Sequence, residues 1–223
     1  LGVDVTTLYK IEINAGASTT TVTNKGTFAF GMEASSLDDS LLFGTVNSGP
    51  NVLIRAYDPI LNITFDVINL TSINAGALNV GGIGSNKITH KLYKIQFNLM
   101  MEISLQPYIR YGPSAPSLPA SGYSKVPPAG FGLGIVAIED IAVDQTDNMI
   151  YITADDGATF YLIKYDFYTN TVLQSIVTSP LIYCCLAFCQ YNDLYMTAVS
   201  PSTIRKVDKN KLTLGASISM SAT

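Results

Sequence analysis

The chain is poor in the groups that most chemistry needs. It has one histidine, no tryptophan, three cysteines and only 13% charged residues among 223. Nucleophilic triads require a histidine or an equivalent base. His90 stands in "KITHKLYK", alternating strand sequence with no serine elbow beside it, and reads as an ordinary strand residue. The net charge of −4 and the pI near 4.8 provide no basic stripe to displace counterions from phosphates, which excludes a nucleic-acid partner. No apolar run approaches the 18 or so residues of a membrane span. The cysteines all fall in "YCCLAFCQ" (183–190), without a second cluster or a nearby histidine. That spacing suits neither a disulfide framework nor a zinc site, so they read as buried thiols acting as small hydrophobes. In a strand, Cys185 and Cys189 share one face and Cys184 takes the other.

What is present favours a folded, all-β chain. Apolar residues make up 48% of it, with Thr, Ser, Val, Ile and Tyr abundant, and 223 residues suffice for one large domain. Alternation and turn signals support strands throughout. "TLYKIEIN" (7–14) returns as "KLYKIQFN" (91–98), 84 residues later. A basic residue in an apolar, tyrosine-rich strand occurs five times: Lys10, Arg55, Lys94, Lys164 and Arg205, in steps of 45, 39, 70 and 41 residues. We expect these cations at equivalent strand positions, each with its aliphatic stem on tyrosine and its charge at the rim. A second signature, an apolar strand, a polar turn and another apolar strand, appears in "IAVDQTDNMIYIT" (141–153) and "LAFCQYNDLYMT" (186–197), and more weakly in "MEASSLDDSLLFG" (32–44).

A four-stranded unit of about 40–45 residues is the period of a β-propeller blade. "AVDQTDNMIYITADDGATFYLIKYDFYTNTVL" (142–173) resembles blades of the YVTN, NHL or YWTD kind, where an Ala-Val-Asp strand, a turn and an Ile-Tyr strand recur. The other blades match loosely, with no Trp as in WD or YWTD repeats, no double-glycine kelch signature, and Cys189 where Asp144 would stand. The resemblance implies a β-propeller of about five blades within one domain, residues 1–223. The blades are read at 1–24, 25–69, 70–106, 131–178 and 179–223, with "FAFGMEAS", "VAIEDIAVD" and "YCCLAFC" on innermost strands. The first blade lacks its innermost strand, which the tail "LGASISMSAT" (214–223) is expected to replace in part. Residues 107–130 hold six of the ten prolines and read as an inserted arm, with Tyr108, Tyr111 and Tyr123 as candidate contact residues.

The remaining candidate sites are few. Asp38 and Asp39, Asp144 and Asp147, and Asp155 and Asp156 lie in expected turns, where carboxylates accept local backbone N–H bonds. Calcium, which some related propellers hold in the central channel, is the alternative use of these oxygens that the resemblance implies. "NAGALNVGGIGSN" (74–86) lacks the Gly-Lys-Ser/Thr of a phosphate loop and reads as a connection between strands. Asn62 and Asn69 each open a glycosylation triplet. With Leu1 in place of an initiator methionine, they lead us to expect a processed, extracellular glycoprotein.

Two functions follow as expectations. The first is a non-catalytic structural or interaction subunit that assembles with itself into a filament or surface layer, with carbohydrate as a further partner class. The second, implied by the resemblance, is a ligand-binding or calcium-dependent, lactonase-like propeller using the central channel. Glu33, Glu139 and Asp140 are its obvious acidic candidates.

Overall fold

The computed structural model describes residues 2–3, 7–14, 19–27, 32–38, 41–48, 51–58, 61, 63–69, 82–96, 99–106, 124–125, 129–178, 183–189, 191–198 and 202–219. Their strands form five antiparallel sheets, one of three strands and four of four. The first comprises β1 (Gly2–Val3), β2 (Thr7–Asn14) and β3 (Thr19–Thr27). The second runs β4 (Met32–Asp38), β5 (Leu41–Ser48), β6 (Asn51–Asp58) and β7 (Ile63–Asn69). The third runs β8 (Ile83–Asn86), β9 (Lys91–Gln96), β10 (Leu99–Ser104) and β11 (Ser124–Lys125). The fourth holds β12 (Ala137–Val143), β13 (Ile150–Asp155), β14 (Phe160–Asp166) and β15 (Thr171–Val177). The fifth holds β16 (Tyr183–Phe188), β17 (Leu194–Ala198), β18 (Thr203–Asp208) and β19 (Thr213–Ser219).

Each sheet is a meander, and the first strands β4, β8, β12 and β16 lie side by side, so the sheets radiate as propeller blades. The hydrophobic core is correspondingly divided among the spaces between blades. One cluster joins Phe43, Ile54 and Val67 of the second blade to Leu92 and Met101 of the third. Another joins Tyr93 and Ile95 to Ile141, Ile152 and Tyr165, and a third joins Tyr151 and Leu162 to Leu186, Leu194 and Met196. Alternation makes this possible, because each strand offers one set of side chains to the preceding blade and the other to the following one.

Register shifts recur in place. In the second, fourth and fifth blades the first two strands are offset at Met32/Ser35, Ile138/Asp140 and Tyr183/Cys185. The middle pairs run without a shift. The outer pairs shift again, at Ile54/Arg55, Lys164/Tyr165 and Arg205/Val207. A bulge adds local twist, which keeps a blade coiled from hub to rim. In the first sheet β1 and β2 pair without a shift, while β2 and β3 shift at Leu8/Tyr9. By this pattern β2 and β3 are third and outermost strands and β1 is a second strand.

Several expectations change. The five cations do not share one position. Arg55 and Arg205 do, opposite Gly44 and Met196 on third strands. Lys164 stands one place further on, opposite Tyr151, where the fifth blade puts Lys206 opposite Tyr195. Lys94 lies on a second strand, opposite Ile83 and Met101, and is 1% exposed. The part of the glycine-rich segment at 83–86 is a strand, β8, rather than a connection. His90 is a turn residue with φ of 52°, not a strand residue. Residues 213–219 form the outermost strand of the fifth blade, paired to β18, so this part of the tail does not fill the first blade. Cys185 is exposed and Cys189 half-buried, so neither is a fully buried thiol; the side chain of Cys184 lies outside the described residues. Finally, β11 falls within 107–130, which makes part of the expected arm the edge of the third blade.

Candidate functional site

The turns joining first to second strands, and third to fourth, all lie at one end of the disc, because the strands alternate in direction. At that end "VDQTDN" (143–148) closes the β12–β13 turn. Asn148 takes a left-handed conformation, φ 58°, which Asn tolerates better than most residues. Asp144 Oδ1 accepts bonds from the Thr146 N–H (2.8 Å) and hydroxyl (2.6 Å). The same position in the neighbouring turns is Asn86, whose Oδ1 accepts from Ile88 N and Thr89 N, and Cys189, whose Sγ accepts from Tyr191 N at 3.4 Å. One local requirement, an acceptor for the turn's amide, is thus met by three residue types.

Asp144 also ties three blades together. Its carboxylate accepts the Asn192 amide at 2.7 Å and the Lys209 ammonium at 2.5 Å, with its side chain 2% exposed. Burial alone would raise its pKa, but the bonds from Asn192, Lys209 and Thr146 outweigh burial and hold it at about 2. On the other side, Asn86 Nδ2 donates to the Asp144 carbonyl (3.0 Å) and to Asn148 Oδ1 (2.8 Å). Gln145 donates to the Ser85 carbonyl and accepts from Lys87 N, while its own N–H donates to Asn192 Oδ1. Asp147, Asp155 and Asp156 accept local backbone N–H groups, the turn chemistry expected of them.

Second-strand tyrosines reach across to the next blade's outer turn. Tyr93 packs edge-on against Phe167, and its hydroxyl donates to Glu102 and lies 3.4 Å from that of Tyr168. Burial pushes the Tyr93 phenol well above its ordinary range, with Tyr168 and Glu102 adding to the shift. Tyr151 meets the Lys209 carbonyl, and the Lys164 ammonium donates to that carbonyl while lying 5.7 Å from the Tyr151 ring centre. At Lys164 it is the ammonium that lies over the tyrosine ring, where the sequence led us to expect the aliphatic stem.

The channel between inner strands holds a cavity of about 180 Å³, lined by Ile83, Asp140, Val143, Gln145, Leu186 and Ala187 among others. Asp140 is 7% exposed, and its two oxygens accept bonds from Ile141 N and Leu186 N, both at 2.8 Å. It serves as a tie between β12 and β16. Glu139 pairs instead with Asp155; burial, then the charge and hydrogen bond of Asp155, raise its pKa. The side chain of Glu33 lies outside the described residues. Among the described residues no three His, Cys, Asp or Glu side chains gather as a metal-binding group, and no helix is long and apolar enough to cross a membrane.

Asn69 is exposed at the end of β7; Asn62, Tyr108, Tyr111 and Tyr123 lie outside the described residues. Four large apolar side chains that sequence reasoning passed over project from the turn end: Leu61, Ile88, Tyr168 and Tyr191, the last 79% exposed. Their signal was an apolar residue inside a polar turn, as in "NKITH" and "CQYND".

No protein-family model matches this sequence, and no curated protein matches it. Solved structures do. The chain is similar to the WD40 β-propeller domain of Doa1, at 14% identity and a TM-score of 0.53, over 91% of this chain and 57% of that one. It is similar to a chain of a nidogen/laminin complex, at 11% identity and a TM-score of 0.53, over 96% and 93%. A structural-genomics protein from Bacteroides thetaiotaomicron VPI-5482 is similar at 10% identity and a TM-score of 0.52, over 87% and 49%. The chain spans little more than half the length of the Doa1 domain and about half of the Bacteroides chain. These likenesses show the β-propeller fold.

Proposed function

We propose that this protein is a non-catalytic interaction module, an extracellular structural subunit that associates with further copies of itself. The observation that carries the reading is the turn end, where Leu61, Ile88, Tyr168 and Tyr191 stand exposed, the kind of apolar and aromatic surface that docking buries. The channel argues less well for an active site. Its cavity of about 180 Å³ is below the ~300 Å³ usual for small-molecule pockets, and its buried carboxylate already accepts two backbone bonds.

Light scattering on purified protein over a wide concentration range, with negative-stain images, tests the proposal. Mass that grows with concentration, and end-to-end particles, are expected; a monomer at every concentration overturns it. Export and glycosylation are tested separately. Protein secreted from a eukaryotic host should carry a glycan at Asn69, detected as a mass increment that Asn69→Gln removes.

A further inference from the structure

We propose that the gap between the fourth and fifth blades is a carboxylate-binding site whose donors are Arg205 Nε and the Thr178 hydroxyl. It goes beyond the self-association reading and does not depend on it.

Two arginines hold the same position on third strands and find different surroundings. Arg55 lies opposite Gly44 and Arg205 opposite Met196. Arg55 Nε donates to Asp66 Oδ1 at 2.8 Å, because the bulge in that outer pair precedes the arginine and brings Asp66 opposite it. In the fifth blade the bulge follows the arginine instead, so Ile204 meets Ile218 and Arg205 meets Ser217. The strand that bears Ser217, TLGASIS, has no carboxylate at any position. Arg205 Nε is therefore buried without a hydrogen-bond partner among the described residues. A buried donor left unpaired is a standing cost that an arriving acceptor removes.

A second unpaired donor lies in the same gap. Residues opposite one another in a sheet share a face. Met196 packs with Tyr151 and Leu162 of the fourth blade, so Arg205, opposite Met196, points between the blades. On the fourth blade Asp140, Thr153, Leu162 and Ile176 form one cross-strand row. The bond from Leu186 N to Asp140 sets that row against Leu186, Met196 and Arg205. Thr178, two residues beyond Ile176, continues the ladder by donating its N–H to the Phe160 carbonyl at 2.8 Å, which keeps it on the Ile176 face. It is 6% exposed, and its hydroxyl has no partner among the described residues. The gap opens at the rim, where Ser217 is exposed and Ile176 only half-buried.

A guanidinium and a hydroxyl that both have hydrogens to give call for a negatively charged acceptor. A carboxylate suits them, since it is planar and can accept the Nε–H and the hydroxyl on its two oxygens, much as Asp66 accepts from Arg55. A free small acid and the side chain of an acidic peptide both carry this group, and titration separates them.

Magnetic resonance of protein carrying isotope-labelled arginine reads each Nε–H directly, with Arg205→Lys and Arg55→Lys assigning the signals. Sodium acetate should move the Arg205 signal saturably. Sodium chloride at matched ionic strength should not, and the Arg55 signal, already paired to Asp66, should stay in place. Ser217→Asp should put an acceptor opposite Arg205, move its signal toward that of Arg55 and weaken acetate about tenfold. Thr178→Val should weaken acetate severalfold. A blocked glutamyl peptide that displaces acetate, where its glutaminyl counterpart does not, supports the site with an acidic peptide as the source; an acetate response without displacement supports it with a free small acid. An Arg205 signal indifferent to acetate, or moved equally by chloride, overturns the proposal, as does acetate binding that survives Ser217→Asp at full strength.

Discussion

At the scale of single residues, Asp144 carries the most. Its folded pKa of about 2 lies below the ordinary 3.8, so its contribution is complete above 3.8 and is lost as pH falls through 2. That shift corresponds to about 2 kcal/mol. Urea unfolding between pH 4.5 and 2 should therefore show a steeper loss of stability in the parent than in Asp144→Asn. At neutral pH, Asp144→Ala leaves Lys209 and Asn192 without their acceptor in a buried place, and should cost about 3 kcal/mol. Glu139 works in the opposite sense. Its pKa is raised above the ordinary 4.5, so its favourable contribution is present below 4.5 and lost as pH rises through the folded value. Glu139→Gln should melt higher than the parent at pH 7 and level with it at pH 4, as calorimetry would show.

At the scale of strands, Gly82 is the most constrained place described. With 2.1 Å available to a Cβ, Gly82→Ala must push β8 away from β12 and should lower stability by about 3 kcal/mol, measured by denaturant midpoint. The same residue explains why β8 was not legible as a strand. A stretch such as "VGGIGSN" lacks the β-branched density of strands, and its glycines answer a tertiary need, close approach between blades, that no local pattern reveals. "VAIEDIAVD" and "YCCLAFC" were legible because both are dense in apolar residues, although Glu139, Cys185 and Ala187 in them are exposed. The register of the cations was not, for a bulge next to Arg55, Lys164 or Arg205 shifts parity by one residue while leaving the sequence motif similar. His90 reads as a strand residue because its flanks alternate, although it ends a turn. The carboxylates capping turns at Asp144, Asp147, Asp155 and Asp156 were visible because their bonds are local; the ties from Asp144 to Asn192 and Lys209, 48 and 65 residues away, were not.

At the scale of the whole molecule, the period of some forty residues was enough for the propeller, since four strands per unit allow few other architectures. The fourth blade packs on both neighbours, with residues of β13 and β14 in the buried clusters on either face, while its outermost strand β15 is half exposed. Exchange of backbone amides should therefore be slowest in β13 and β14 and faster in β15, a gradient that hydrogen exchange with mass spectrometry would read. Equal uptake in the three strands would show that blade packing does not set local stability.

That gradient has a mechanical consequence. A blade gripped on both faces along its middle strands and lightly held at its outermost one frays from the rim inward, so heat or load peels the margin first and leaves the central joints closed.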